Sequence, residues 1–154
     1  MWLLTVVRLI LAVLSLRGVR WAYIAFITLG LLYFPAKAGF QLDPHPCEMT
    51  FDFPLAIHSL SNYAHIVLFA LGFALTSAQF RTWNWSAFAW AAAITIVLGA
   101  LVEVAQGVTG QGHCRLRDLI PDTVGALAGS VIVLILRRIG WRPRPTWSLV
   151  WWRE

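Results

Sequence analysis

The stretch LVEVAQGVTGQGHCRLRDLIPDTVGALAG, residues 101–129, gathers side chains able to move protons, hold anions or pair with one another. Glu103 and Gln106 are three apart and so share one face of a helix. Asp118, Asp122, Gly125 and Gly129 step by four, three and four along a second helical stripe. Arg115 and Arg117 lie between the two blocks, and His65 lies far upstream, repeating at helical spacing with His58 and with Ser61 or Asn62. Ionisable groups at membrane depth are costly, so they are paired, water-facing or functional. Three readings of Glu103 follow: a buried tie between helices with Gln106 and an arginine, part of a ligand site for a polar headgroup, or a general acid or base with Asp118 beside it. Asp118 also suits a helix N-cap, with Pro121 in the first turn and Asp122 near the positive end of the helix dipole. His65 fits a packed, hydrogen-bonded histidine as readily as a ligand. Gly125 and Gly129 form a G-x-x-x-G pair that lets another helix come close.

The elements that must position these residues are apolar. Of 154 residues 59% are hydrophobic and 12% charged, about half the charged share of a soluble domain. The runs 57–79, 88–106 and 119–136 each approach the ~20 residues needed to cross ~30 Å of hydrocarbon. A shorter run, 19–34, is bounded by Arg17 and Arg20 before it and Pro35 after it. The expected fold is all-α, an integral membrane four-helix bundle with an additional N-terminal helix. Its parts are an interfacial or membrane helix at 1–18, a four-span domain at 19–138 and an Arg/Trp-rich interfacial tail at 139–154. A small and polar stripe of Thr5, Arg8, Ala12 and Ser15 suits a helix lying in the membrane surface, with a fifth span as the alternative. The net charge of +5 does not point to nucleic acid, because the arginines sit between apolar runs rather than on a basic recognition helix.

The arginines set an orientation. With the N-terminus inside, Arg17, Arg20, Arg81, Arg137, Arg138, Arg142, Arg144 and Arg153 are cytoplasmic, against Lys37, Arg115 and Arg117 outside. Trp21, Trp83, Trp85, Trp141, Trp147, Trp151 and Trp152 flank the same inner ends, as an aromatic belt would. Both termini are then cytoplasmic, and the loops 37–56 and 107–117 face outward.

Two blocks resemble the VanZ-like family of small bacterial membrane proteins, named for a member associated with resistance to the glycopeptide teicoplanin. Glu103 and Gln106 match its E-x-x-Q at the end of the third span. Asp118, Gly125 and Gly129 match D-x-x-x-N-x-x-G-x-x-x-G at the start of the fourth, with Asp122 in place of the Asn. The family arginine falls where this chain has Gly112, so Arg115 or Arg117 would act from a shifted register. His65 and Phe69 match the second-span pattern, in which Ser61 and Asn62 replace a charged pair, and LLYFPAK resembles the close of the first span. The resemblance covers roughly residues 19–137 and implies a four-span protein of the bacterial cytoplasmic membrane.

Cys47 and Cys114 fall in different outward loops. An oxidising compartment favours a disulfide between them; unpaired thiols are the alternative, as is a metal site with His45 and His113, although that spacing is not a usual zinc pattern. No nucleophile elbow, phosphate loop or HExxH is present, and no motif asks for a cofactor or metal. The expected partners are membrane lipids, with an envelope lipid or lipophilic glycopeptide bound by Glu103, Gln106, Arg115, Arg117, Asp118, Asp122 and His65. The rival function is a small intramembrane enzyme acting on an envelope lipid.

Overall fold

The computed structural model describes residues 18–50, 52–80 and 84–139; the expected N-terminal helix and the Arg/Trp-rich tail lie outside these apart from Gly18 and Ile139. Among the described residues there are five α-helices and no strand. These are α1 (Gly18–Lys37), α2 (Phe53–Ser59), α3 (Tyr63–Ser77), α4 (Trp85–Thr109) and α5 (Leu119–Arg138), with a 3-10 turn at Leu116–Asp118 before α5. Three of the helices are long and apolar enough to cross a membrane, and α2 with α3 makes a fourth crossing if the bent pair counts as one.

Small residues decide where the helices touch. The buried stripe of α4 is Ala87, Ala91, Thr95, Gly99 and Glu103, each four residues from the last, followed by Gln106 and Gly107. On α5 the buried stripe is Asp122, Gly125, Ala126, Gly129 and Val133. A Cβ on Gly125 would strike the backbone carbonyl oxygen of Ile66, and one on Gly129 would stand 2.5 Å from that of Ala70. The G-x-x-x-G pair therefore serves α3, whose backbone lies in van der Waals reach of α5. Between lipid-like surfaces such close approach, rather than exclusion of water, is what drives helix association. Phe73, Ala91, Ala126 and Val133 form the apolar core where α3, α4 and α5 meet. By contrast, none of the apolar window of α1 is buried. That helix touches α3 through Phe26, which packs on Gly72.

The run 57–79 is not one straight helix. α2 and α3 meet at 69° across a break at residues 60–62. The hydroxyls of Ser59 and Ser61 donate to the carbonyls of Ala56 and His58, each at 2.7 Å. Such local bonds offer the backbone an alternative to continued helix. His58 and His65 consequently do not share a polar face, contrary to the sequence expectation.

A second correction concerns Asp118. It makes no capping hydrogen bond with its side chain, and its backbone is already helical at φ −73, ψ −12, because the 3-10 turn runs directly into α5. α4 is capped at both ends: Asn84 accepts from the Ala87 amide at 2.8 Å, and Gly110 closes the other end in the left-handed region at φ 62.

Candidate functional site

The loop after α1 and the loop between α4 and α5 run side by side at one end of the bundle. The His45 amide donates to the Gly107 carbonyl at 2.8 Å, Glu48 to Cys114 at 2.9 Å and Leu116 to Glu48 at 3.0 Å. A disulfide joins Cys47 to Cys114, with Cα atoms 4.8 Å apart. It lies over Gly107, where a Cβ would stand 2.7 Å from the Cys47 sulfur. The thiolates that a metal would need are thus joined to each other, and among the described residues no group of three His, Cys, Asp or Glu side chains is placed to hold one.

Glu48, which the sequence reading passed over, is the residue that meets the arginines. Its carboxylate takes Arg117 Nη1 at 2.5 Å and Arg115 Nε at 3.4 Å. The Thr50 hydroxyl donates to the same carboxylate at 2.8 Å. That bond first, and Arg117 second, hold the Glu48 carboxyl below its ordinary value of 4.5. Once Cys47 is paired with Cys114, their neighbours Glu48 and Arg115 are brought together as well; that was the available signal.

Beneath the clasp, the E-x-x-Q pair holds backbone. Glu103 is 6% exposed, and its Oε2 accepts the Arg115 amide at 2.8 Å. Its Oε1 accepts from Gln106 Nε2 at 3.3 Å. Gln106 Oε1 in turn accepts the His113 amide at 3.0 Å. Both carboxylate oxygens are thus engaged in holding the 113–115 loop and its neighbour Gln106.

A separate pair links α3 to α5. His65 Nδ1 and Asp122 Oδ1 are 2.7 Å apart, and Asp122 is 2% exposed. The Phe69 ring stacks on His65, with centroids 6.2 Å apart. Asp122 Oδ2 has no hydrogen-bond partner and faces Gly99, where a Cβ would stand 2.6 Å away. Gly99 is one turn from Glu103 on the buried stripe of α4, and its lack of a side chain makes room for the carboxylate. Neither arginine side chain reaches these buried acids through any bond described here; both guanidinium groups are bound to Glu48.

Two cavities flank this arrangement. A polar one of about 260 Å³ is walled by His45, Glu48, Gln106, Gly112, His113 and Arg115, among others. An apolar one of about 470 Å³ lies between α1, α3 and α4, with Phe26, Gly30, Phe34, His65, Thr95 and Val102 in its walls. Glu103, Arg117, Asp118 and Asp122 wall neither of the two. Gly112 packs between the walls of the two. A Cβ there would stand 2.9 Å from the Phe34 ring of the apolar cleft and 3.0 Å from Gln106 Oε1 of the polar pocket. At φ +95, and with no room for a side chain, position 112 asks for glycine.

A family model described as VanZ/LLP1 matches residues 2–137. The chain belongs to the VanZ/LLP1 family. No curated protein and no solved structure matches it significantly. The protein is thus a VanZ-like membrane protein, and the geometry gives its motif residues separate tasks. Glu103 and Gln106 hold a loop, Gly125 and Gly129 seat α3, and Asp122 fixes His65 at the wall of the apolar cleft.

Proposed function

We propose that this protein binds an amphiphile of the bacterial cytoplasmic membrane, with the polar head in the pocket beneath the disulfide and the tail in the apolar cleft. The observation that carries this reading is proximity at Gly112, which packs between the Phe34 wall of a cleft made by membrane-crossing helices and Gln106 of a pocket holding Arg115 and two histidines. An arginine at the head end suits an anionic group, because a guanidinium presents several donors in a fixed fork. The excess of arginine at the opposite ends of the helices supports an extracytoplasmic position for this pocket. Envelope lipids and lipophilic glycopeptides share the required form, a polar head on an apolar tail. Purified protein mixed with anionic phosphatidylglycerol is the direct test, read by mass spectrometry under conditions that preserve the complex. The wild type retains the lipid, and Arg115→Gln loses most of it while keeping its melting temperature. Equal retention by both proteins refutes the polar pocket as the head site.

A further inference from the structure

We infer that Glu48 is a built-in counter-ion occupying an oxyanion site, and that an incoming phosphate group takes its place on Arg115 and Arg117. This rests on the amphiphile reading above, in which the polar pocket takes an anionic head. It adds a second arginine to that site and a group that controls access to it.

The three residues are unevenly matched. Two guanidinium groups meet one carboxylate, Arg117 Nη1 on Oε1 and Arg115 Nε on Oε2, so the cluster keeps one positive charge. The Arg117 side chain is only 13% exposed, whereas that of Glu48 is 41% exposed. Arg115 is held loosely. Its Nε stands 3.4 Å from the carboxylate, and its two terminal nitrogens make no bond among the described residues. Exposed ion pairs contribute little to stability, so a better anion can displace the carboxylate without undoing the fold.

The placement of Glu48 makes it a cover. Glu48 and Arg115 both stand in the wall of the polar pocket, and Arg117 does not. Because Glu48 also bonds Arg117, its carboxylate lies between the pocket and that arginine. With the carboxylate in place, the charges of Glu48 and Arg115 cancel in the pocket wall. With it turned away, Arg115 faces the pocket uncompensated and Arg117 is uncovered behind it.

That turn asks nothing of the backbone. The Glu48 amide donates to the Cys114 carbonyl at 2.9 Å, and the Glu48 carbonyl accepts the Leu116 amide at 3.0 Å. The disulfide at Cys47 stands next to it. The main chain is thus held whichever way the side chain points. Besides the arginines, only the Thr50 hydroxyl, at 2.8 Å, restrains the carboxylate. Rotation of such an exposed side chain is fast.

Phosphate is the chemistry that this exchange favours. Guanidinium groups grip phosphate oxygens through paired N–H···O bonds. A phosphomonoester also carries most of a second negative charge at neutral pH, enough to answer both arginines where one carboxylate answers only one.

Inorganic phosphate and phosphatidylglycerol, each added to the full chain in detergent at constant ionic strength, test this. Phosphate binding is read from hydrogen exchange at residues 113–117, lipid retention from native mass spectrometry, and the fold from exchange protection of α3 and α5. Glu48→Gln should bind phosphate at least about tenfold more tightly than the wild type, because a like charge leaves the site. It should also retain more phosphatidylglycerol. Adding Arg117→Gln should erase the gain, which simple relief of repulsion would not do. Thr50→Val leaves every charge in place and frees the carboxylate, and it should tighten phosphate binding about threefold. A merely structural ion pair predicts the reverse, a looser loop with no gain in affinity. If neither Glu48→Gln nor Thr50→Val binds phosphate more tightly, the counter-ion role is overturned. A gain that survives Arg117→Gln overturns the place of Arg117. If neither probe shows a gain while Arg115→Gln still loses the lipid, the amphiphile reading stands and this inference falls. If phosphate shows the gain but no protein retains phosphatidylglycerol, the site takes free phosphate and the amphiphile reading falls.

Discussion

Glu103 holds Arg115 by its backbone amide, at 2.8 Å, while the Arg115 guanidinium turns outward to Glu48. One residue is thereby used twice, inward as a structural donor and outward as a charge on the rim of the polar pocket. A buried carboxylate accepting a backbone N–H positions the loop and leaves the guanidinium to pair with Glu48.

Glu103→Gln tests the inward half. The substitution keeps the size but replaces one acceptor oxygen with a donor, so either the Arg115 amide or the Gln106 amide loses its acceptor. The expected cost is ~1–3 kcal/mol, seen as faster hydrogen exchange at residues 113–115 with the helices still protected. Unchanged exchange in that loop would show that Glu103 does not hold it.

Glu48 gives the clasp a pH dependence. Its folded-state pKa is lowered, so the contribution to stability is fully present above the ordinary value of 4.5 and is lost as pH falls through the lower folded value. Hydrogen exchange in residues 110–117 should therefore rise as the pH falls below the ordinary value of 4.5. Glu48→Gln should show the raised exchange already at neutral pH and lose the acid step. A clasp indifferent to acid in both proteins contradicts the pairing with Arg117 and Arg115.

The disulfide is checked by intact mass before and after alkylation in protein purified without reductant. No alkylation should occur until a reducing agent is added. Reduction should then lower stability by ~2–4 kcal/mol, the usual range for a crosslink closing a long loop. Two thiols alkylated in the unreduced, denatured chain would reject the bond.

Packing between α3 and α5 predicts opposite outcomes for two glycines. Gly125→Leu drives a side chain into the Ile66 backbone and should prevent recovery of folded protein, at a cost above the ~1–3 kcal/mol of ordinary overpacking. Gly30→Leu meets open space and should be recovered at wild-type yield. Equal yields of the two variants would place the helix contact elsewhere.

Orientation is settled with a single cysteine at Gln41, an exposed position in the loop after α1. An impermeant thiol reagent should label Gln41→Cys in intact cells. Labelling that appears only after lysis would invert the proposed topology. Gly110 is the poorer choice for such a probe, since its φ of 62 and a Cβ contact of 2.6 Å to the Asp43 carbonyl oxygen leave no room for a side chain.

Much of this was legible in the sequence, for identifiable reasons. Long apolar runs set the helices, and Gly125 with Gly129 marked a close crossing because only small residues permit one. The break at residues 60–62 was not legible. The apolar run continues straight through it, and hydroxyl bonds to the backbone carry no hydropathy signal. The division of labour among the charges was hidden for a related reason. Spacing places Glu103 and Gln106 on one face, but it does not say that an amide of the following loop folds back to meet them. Glu48 lay in a loop without periodicity, and only the crosslink beside it brings it to the arginines.

The bend at residues 60–62 also has a mechanical consequence for the surrounding bilayer. α3 has 15 residues and α4 has 25, lengths of about 22 Å and about 37 Å. Packed against each other, they cannot both match a hydrocarbon layer of ~30 Å. Such hydrophobic mismatch is relieved by tilting or by local thinning. Thinning beside α3 would bring the headgroup layer toward its first turn, where His65 stands.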